Sequence, residues 1–321
     1  MADTFNYRID HHGSLVRPPD LAATGVQQAV GDAVAFQRKL RSTVVTDGDY
    51  PREDFRSAVL DGVSGFRRSD ETGPDGLVRW VAESLPKAEG PLVADWAERV
   101  ATLTVIAPKV ALPSPAYLAA TTYCPGLGPS SVQELGEALA EIIRAEIALL
   151  VARGVRLIQL NNPLLLDGAT DDGLLAADAH AARLDERFEG VRIAVCPGWR
   201  ASAEVDRSRI EKMYEAIPAD RWVLPFDQGT EAELDLVRAL PEDRDVCLGV
   251  VDPTVSEPED LDTVLARIDA AGEVKDLEDA ALSPSRGFAD VASRPLLSAE
   301  GQRRKLVLVE TLARYVWGNE F

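Results

Sequence analysis

The chain is poor in cysteine and histidine, with three of each in 321 residues. Cys124, Cys196 and Cys247 are far apart and odd in number. That excludes a disulfide framework and points to reduced thiols. Basic residues are in deficit too, 34 Lys and Arg against 53 Asp and Glu, for a net charge of −19. Such a surface repels phosphate backbones and anionic lipid, so neither nucleic acid nor a membrane is an expected partner. No apolar run approaches the roughly 20 residues of a membrane span. Residues 1–5 lack the basic-then-apolar order of a signal peptide. No Gly-x-Gly-x-x-Gly follows a strand-like run, which removes the usual fingerprint of a dinucleotide-binding sheet. The expectation is a cytoplasmic monomer or homodimer acting on a small molecule.

What is present is ordinary for a soluble globular protein: 46% hydrophobic and 27% charged residues. Short β-like runs occur at 7–10, 43–47, 103–112, 155–161, 191–196, 222–226, 246–251 and 280–283. Segments with helical spacing lie between most of them, at 21–41, 132–153, 203–217, 231–240, 259–271 and 298–317. Ser130 and Ser131 are candidate caps for the segment beginning at 132, and Gly154 is its stop. This alternation predicts a single-domain α/β protein, a (β/α)8 TIM barrel over residues 1–321. An open doubly wound sheet is the runner-up. The stretch 51–101 is too long for one helix and is read as an insertion near the barrel mouth.

In such a barrel the chemistry belongs at the C-terminal ends of the strands. Those ends carry His11-His12-Gly13-Ser14, Thr46-Asp47-Gly48-Asp49, Asn161-Asn162, Cys196, Asp227-Gln228, Asp252 and Ser285-Arg286. Cys196 ends an apolar run and precedes Pro197-Gly198-Trp199. It is either a nucleophilic thiolate, its pKa lowered by Arg286, or a buried and inert thiol. Arg286 can grip a carboxylate or phosphate in a bidentate fork. His11 or His12 can act as general acid or base near neutral pH. Asp47 and Asp49 can bind a hydroxyl or amine or serve as base, or simply form an Asp-Gly-Asp turn. Asn161 and Asn162 offer hydrogen bonds to a substrate, Asp227 lies at the same rim, and Tyr123 and Trp199 can stack on a flat ligand. His180, Cys124 and Cys247 are read as structural or solvated.

Four segments carry a resemblance: residues 12–19 (His-Gly-Ser-Leu-Val-Arg-Pro-Pro), 46–49, 158–163 (Ile-Gln-Leu-Asn-Asn-Pro) and 282–288 (Leu-Ser-Pro-Ser-Arg-Gly-Phe). In this order they resemble the catalytic barrel of cobalamin-independent methionine synthase, in its short, single-barrel form. The resemblance runs from about Tyr7 to Trp317. It implies a barrel shared with uroporphyrinogen decarboxylase, and methyl transfer from a methylfolate to a thiol activated by zinc. At the positions the family gives to its His, Cys, Glu and Cys zinc ligands, this chain has Ala194, Cys196, Pro225 (within one or two residues) and Arg286. One thiolate does not make a tetrahedral zinc site, and a guanidinium opposes a dication.

The resemblance also implies that Ser14 donates to a substrate carboxylate. Asn161 replaces an Asp that meets the amino group of homocysteine, Asn162 replaces a Glu, and Asp49 replaces a Glu. The resulting expectation is a zinc-independent methyltransferase whose acceptor is not homocysteine, with methyltetrahydrofolate as the methyl donor. In that reading His12, Cys196, Arg286 and Asp49 are catalytic. The alternatives are a lyase or decarboxylase in which Arg286 and Arg17 hold carboxylates, and a non-catalytic barrel kept as a binding subunit.

Overall fold

The computed structural model describes residues 6–73, 76–167, 172–186, 188–201 and 206–318. Seven parallel strands curl around one core: β1 (Val44–Val45), β4 (Ala107–Pro113), β5 (Leu157–Asn161), β6 (Arg192–Cys196), β7 (Arg221–Pro225), β8 (Asp245–Val251) and β9 (Ala280–Pro284), adjacent in that order. The missing eighth place is filled by residues 8–10. Asp10 donates its N–H to Leu282 O at 2.9 Å and Leu282 donates to Arg8 O at 2.8 Å, while Thr43 donates to Ile9 O at 3.1 Å. The segment expected as a full strand at 7–10 is thus a single bridge, Ile9 to Leu282. Two local features shorten it. Tyr7 has φ 47°, outside extended geometry, and the Ile9 N–H bonds the Thr43 hydroxyl rather than a strand carbonyl.

Between β1 and β4 the chain makes an antiparallel hairpin, β2 (Val63–Thr72) and β3 (Val78–Ala88). The helices are α1 (Leu21–Thr24), α2 (Val26–Lys39), α3 (Ser57–Leu60), α4 (Ala94–Leu103), α5 (Pro115–Thr122), α6 (Val132–Ala152), α7 (Asp172–Ala181), α8 (Arg207–Ala216), α9 (Glu231–Arg238), α10 (Leu261–Gly272) and α11 (Ala299–Trp317). The helix expected over 21–41 is broken at Gly25, whose φ of 82° a continuous helix cannot contain. The strand expected from 103 starts at Ala107, because residues up to Leu103 complete α4 and Val105 lies fully exposed. Residues 203–205, where the next helix was expected to begin, lie outside the described residues. Ser131 caps α6 by accepting from Glu134 N–H at 3.0 Å, and Ser298 caps α11 by accepting from Gly301 N–H at 3.1 Å.

Strand alternation decides what faces inward. Leu157, Ala194, Cys196, Val223, Cys247 and Ala281 form one buried cluster in the barrel interior. The same face carries Lys109 and Gln159, both buried. Lys109 is paired with Asp10 at 2.6 Å, with neither side chain exposed, and Arg221 approaches the other Asp10 oxygen at 3.7 Å. A polar layer therefore lies among the apolar ones. Among the described residues no helix is long and apolar enough to cross a membrane.

Candidate active site

Loops from five β/α units meet at the C-terminal end of the barrel around a cavity of about 330 Å³. Phe55 comes from the loop after β1, Tyr117 from the first turn of α5, Leu164 from the loop after β5, Trp199 from the loop after β6, and Arg286 with Asp290 from the loop after β9. Asp167 and Arg200 flank the mouth. The Arg286 guanidinium lies 4.3 Å from the centroid of the Trp199 ring and is ion-paired with Asp290. Phe55 meets Trp199 edge-on at 6.0 Å and Tyr117 at 5.3 Å, so the aromatic wall is continuous. Two N–H donors of this wall, Nε of Arg286 and Nε1 of Trp199, are buried without a hydrogen-bond partner among the described residues. Burial pushes the Asp290 carboxyl upward against the pull of Arg286.

Of the residues singled out from sequence, Arg286 and Trp199 reach this cavity together. Cys196 does not behave as expected. It is 1% exposed, and burial pushes its thiol up to about 12, outweighing the opposing effects of Lys109 and Arg286. Its Sγ lies 3.5 Å from the carbonyl of Gly198, to which it donates. An activated thiolate at neutral pH is therefore replaced by a protonated, enclosed thiol.

The histidines are corrected in the same sense. Burial first, and Lys109 second, lower His12 to about 3. Burial also lowers His11 to about 4, although Asp10 works against it. Both are neutral at physiological pH, so neither is a proton carrier tuned near 7. His11 Nε2 is 2.6 Å from Ser42 Oγ, and His12 Nδ1 is 3.3 Å from Gln159 Nε2. His12 Nε2 and Gln159 Oε1 are buried without partners among the described residues.

Asp47 and Asp49 are not free to hold a substrate amine, because Arg52 donates to Asp47 at 2.7 Å and to Asp49 at 2.9 Å. Burial raises the Asp49 carboxyl despite Arg52. Arg17, considered as a carboxylate clamp, donates instead to the carbonyls of Asp49 and Arg52. Asn162 donates to Asp178 at 2.7 Å and accepts from Leu164 N–H at 3.2 Å, which makes it a brace between β5 and α7. Asn161 accepts from Gln159 at 2.7 Å.

Ser14 accepts from Ala289 N–H at 3.2 Å, tying the opening loop to the last one. A Cβ on Gly287 would lie 2.1 Å from Ser14 Oγ, so this approach needs glycine. Asp227 is raised by burial and holds Gln228 and Ser285. Tyr123 bonds Ser130 O at 3.4 Å and does not line the cavity.

The zinc site the resemblance implies does not fit these residues. Ala194 and Pro225 carry no donor atom, which leaves Cys196 as a lone thiol, and Arg286 is a cation committed to Asp290. Among the described residues no three His, Cys, Asp or Glu side chains are placed to share a metal ion. Sequence reasoning missed Asp290, Phe55 and Tyr117, and the Lys109–Asp10 pair. Asp290 had a local signal, four residues after Arg286. Lys109 had one too, as a charged residue at an inward strand position that must be paired.

No family model matches the chain. Two curated proteins of Bacillus subtilis, the uncharacterized proteins YxjG and YxjH, are 24% and 25% identical to it. Each alignment spans 97% of this chain and 95% of the relative. Two solved structures share its architecture. One is a B12-independent methionine synthase from a Shewanella species in complex with selenomethionine, at a TM-score of 0.79. The other is a putative vitamin-B12-independent methionine synthase from Listeria monocytogenes, at 0.74. Each is 18% identical and aligns over 98% of both chains. Along nearly its whole length, then, this chain shares the barrel fold of these two structures.

Proposed function

We propose that the protein is a zinc-independent methyltransferase whose acceptor is not homocysteine and whose donor is a methylfolate. One observation carries the reading. Where the resemblance expects a zinc-ligand cysteine the chain has Arg286, which is held by Asp290 and stacked on Trp199 at the wall of the cavity. A fixed cation there suits an anionic or polar acceptor better than a metal-bound thiolate.

In such a transfer the acceptor's lone pair forms the new bond to the methyl carbon. The bond from that carbon to the folate nitrogen breaks, its electrons stay on nitrogen, and the nitrogen takes up a proton. A nitrogen, carbon or already acidic sulfur acceptor needs no metal to become nucleophilic. Arg286 orients the acceptor, the aromatic wall excludes water, and His12, held neutral, hydrogen-bonds without carrying charge. Cys196 takes no part in bond making.

The test is turnover of methyltetrahydrofolate labelled in its methyl group, with pools of amines, thiols and carbon acids, in the presence of a chelator. Label should move to an acceptor other than homocysteine, at a rate that added zinc leaves unchanged. Methionine formation from homocysteine, restored by zinc, overturns the reading.

A further inference from the structure

Among the described residues, the charged side chains lining the cavity balance in sign. Arg286 and Asp290 form an ion pair on its wall, and the exposed Arg200 and Asp167 oppose one another at its mouth. The two mouth residues lie in water, where their effect is screened. The wall pair is partly buried but open to the cavity, since its side chains keep 20% and 17% of their surface exposed. Trp199 covers one face of the guanidinium at 4.3 Å and Asp290 takes one edge, so the pair is held in place. Around it the wall is aromatic and aliphatic, with Phe55, Tyr117 and Leu77.

Such a pair offers hydrogen bonds of both senses and no net charge. A carboxylate set beside it gains from Arg286, loses to Asp290 nearby, and gives up its own hydration. An ammonium meets the same balance with the signs reversed. An uncharged amide gives up far less hydration. It carries a carbonyl to accept from the guanidinium and an N–H to donate to the carboxylate, side by side.

From this geometry we propose that the ligand of the cavity is an uncharged aromatic amide or lactam, its amide edge on the Arg286–Asp290 pair and its ring against Phe55, Tyr117 and Trp199. A volume of about 330 Å³ is at the lower end for small-molecule pockets and suits a ligand of one or two rings. The inference rests on the methyl-transfer reading only in making this ligand the acceptor, and it selects the uncharged acceptor over the anionic one. The binding site itself stands on the cavity and its ion pair.

The experiment is calorimetric titration of the full chain, at pH 7 and without folate, with naphthamide, N,N-dimethylnaphthamide, naphthoate and naphthylmethylammonium. Naphthamide is expected to bind about tenfold or more tightly than either charged compound, and severalfold more tightly than the dimethyl amide, which has no N–H to give Asp290. Asp290→Asn leaves the guanidinium without its counter-charge. In that variant naphthoate should gain about tenfold or more and overtake naphthamide.

The variant is checked for an unchanged circular dichroism spectrum; should it fail to fold, the four affinities of the parent decide alone. The proposal is overturned if the parent binds naphthoate or the ammonium as well as naphthamide, if it binds none of the four, or if folded Asp290→Asn leaves naphthoate binding unchanged. Tight naphthamide binding by a protein that never demethylates methylfolate defeats the methyl-transfer reading alone. Methyl transfer from methylfolate to a carboxylate acceptor, with naphthoate bound better than naphthamide, defeats this inference alone.

Discussion

The enclosure of Cys196 has a direct chemical consequence. Its thiol is pushed up to about 12 by burial. At pH 8 the thiolate fraction is then about 10⁻⁴, against roughly a tenth for an ordinary cysteine of pKa about 9. Ionisation alone slows alkylation about a thousandfold, and 1% exposure slows it further. The native protein should be treated with iodoacetamide at pH 8 and its labelled peptides quantified by mass spectrometry over time. The partly exposed Cys124 serves as the internal reference. Cys196 should label at least a thousandfold more slowly in the native protein than after unfolding in guanidinium. Labelling within tenfold of the unfolded rate, with the circular dichroism spectrum intact, would refute the reasoning and return Cys196 to the list of reactive groups.

The same shift has a signature in stability. Because the folded pKa is raised, the contribution is complete below the unfolded value near 9 and is lost as pH rises toward 12. The slope is about 1.4 kcal/mol per pH unit per thiol. Cys247, also raised to about 12 by burial, acts in the same window.

Three further outcomes follow from the polar interior. Lys109→Met strands Asp10 in the barrel, where Arg221 approaches at 3.7 Å. A loss of about 3–5 kcal/mol in urea unfolding is expected, with part recovered by adding Asp10→Asn; a loss below about 1 kcal/mol counts against a tight buried pair. His11 and His12 are lowered to about 4 and 3, so their contribution is present above pH 6.5 and is lost as pH falls through these values. Each costs about 2 kcal/mol by pH 5, while Asp178, raised to about 6 by burial, offsets about 1.4 kcal/mol between pH 6 and 5. The net loss of about 2–3 kcal/mol should appear as a lower melting temperature at pH 5 than at pH 7, and His12→Gln should flatten that slope. Asn162→Ala removes the donor to Asp178 at 2.7 Å and should lower stability by about 1–3 kcal/mol in the same melts. An unchanged melting temperature would argue that Asn162 faces substrate after all.

Much of the fold was legible because periodicity and punctuation are local. Seven of the eight strand-like runs appear as strands, and the capping serines at 131 and 298 stand where the helices begin. The misses have local causes as well: Gly25 breaks the first helical segment, and Tyr7 and Thr43 reduce the first strand to a bridge. The site was legible only in part. Arg286 and Trp199 could be placed at strand ends, and both line the cavity. The Asp47-Gly48-Asp49 segment, read as a possible substrate clamp, is closed by Arg52 only three to five residues on. That pairing could have been suspected from the sequence.

The sequence by itself determined the order of β/α units and the positions of the caps. These properties are carried by residue identity and by spacing along the chain. Only the tertiary structure decided which charges are spent on one another and which remain to meet a ligand. Desolvation depends on every atom packed around a group. The environment that keeps Cys196 protonated and both histidines neutral is assembled from strands far apart in the sequence. The meeting of Arg286 with Trp199 likewise joins loops 87 residues apart along the chain, a distance that barrel closure reduces to 4.3 Å.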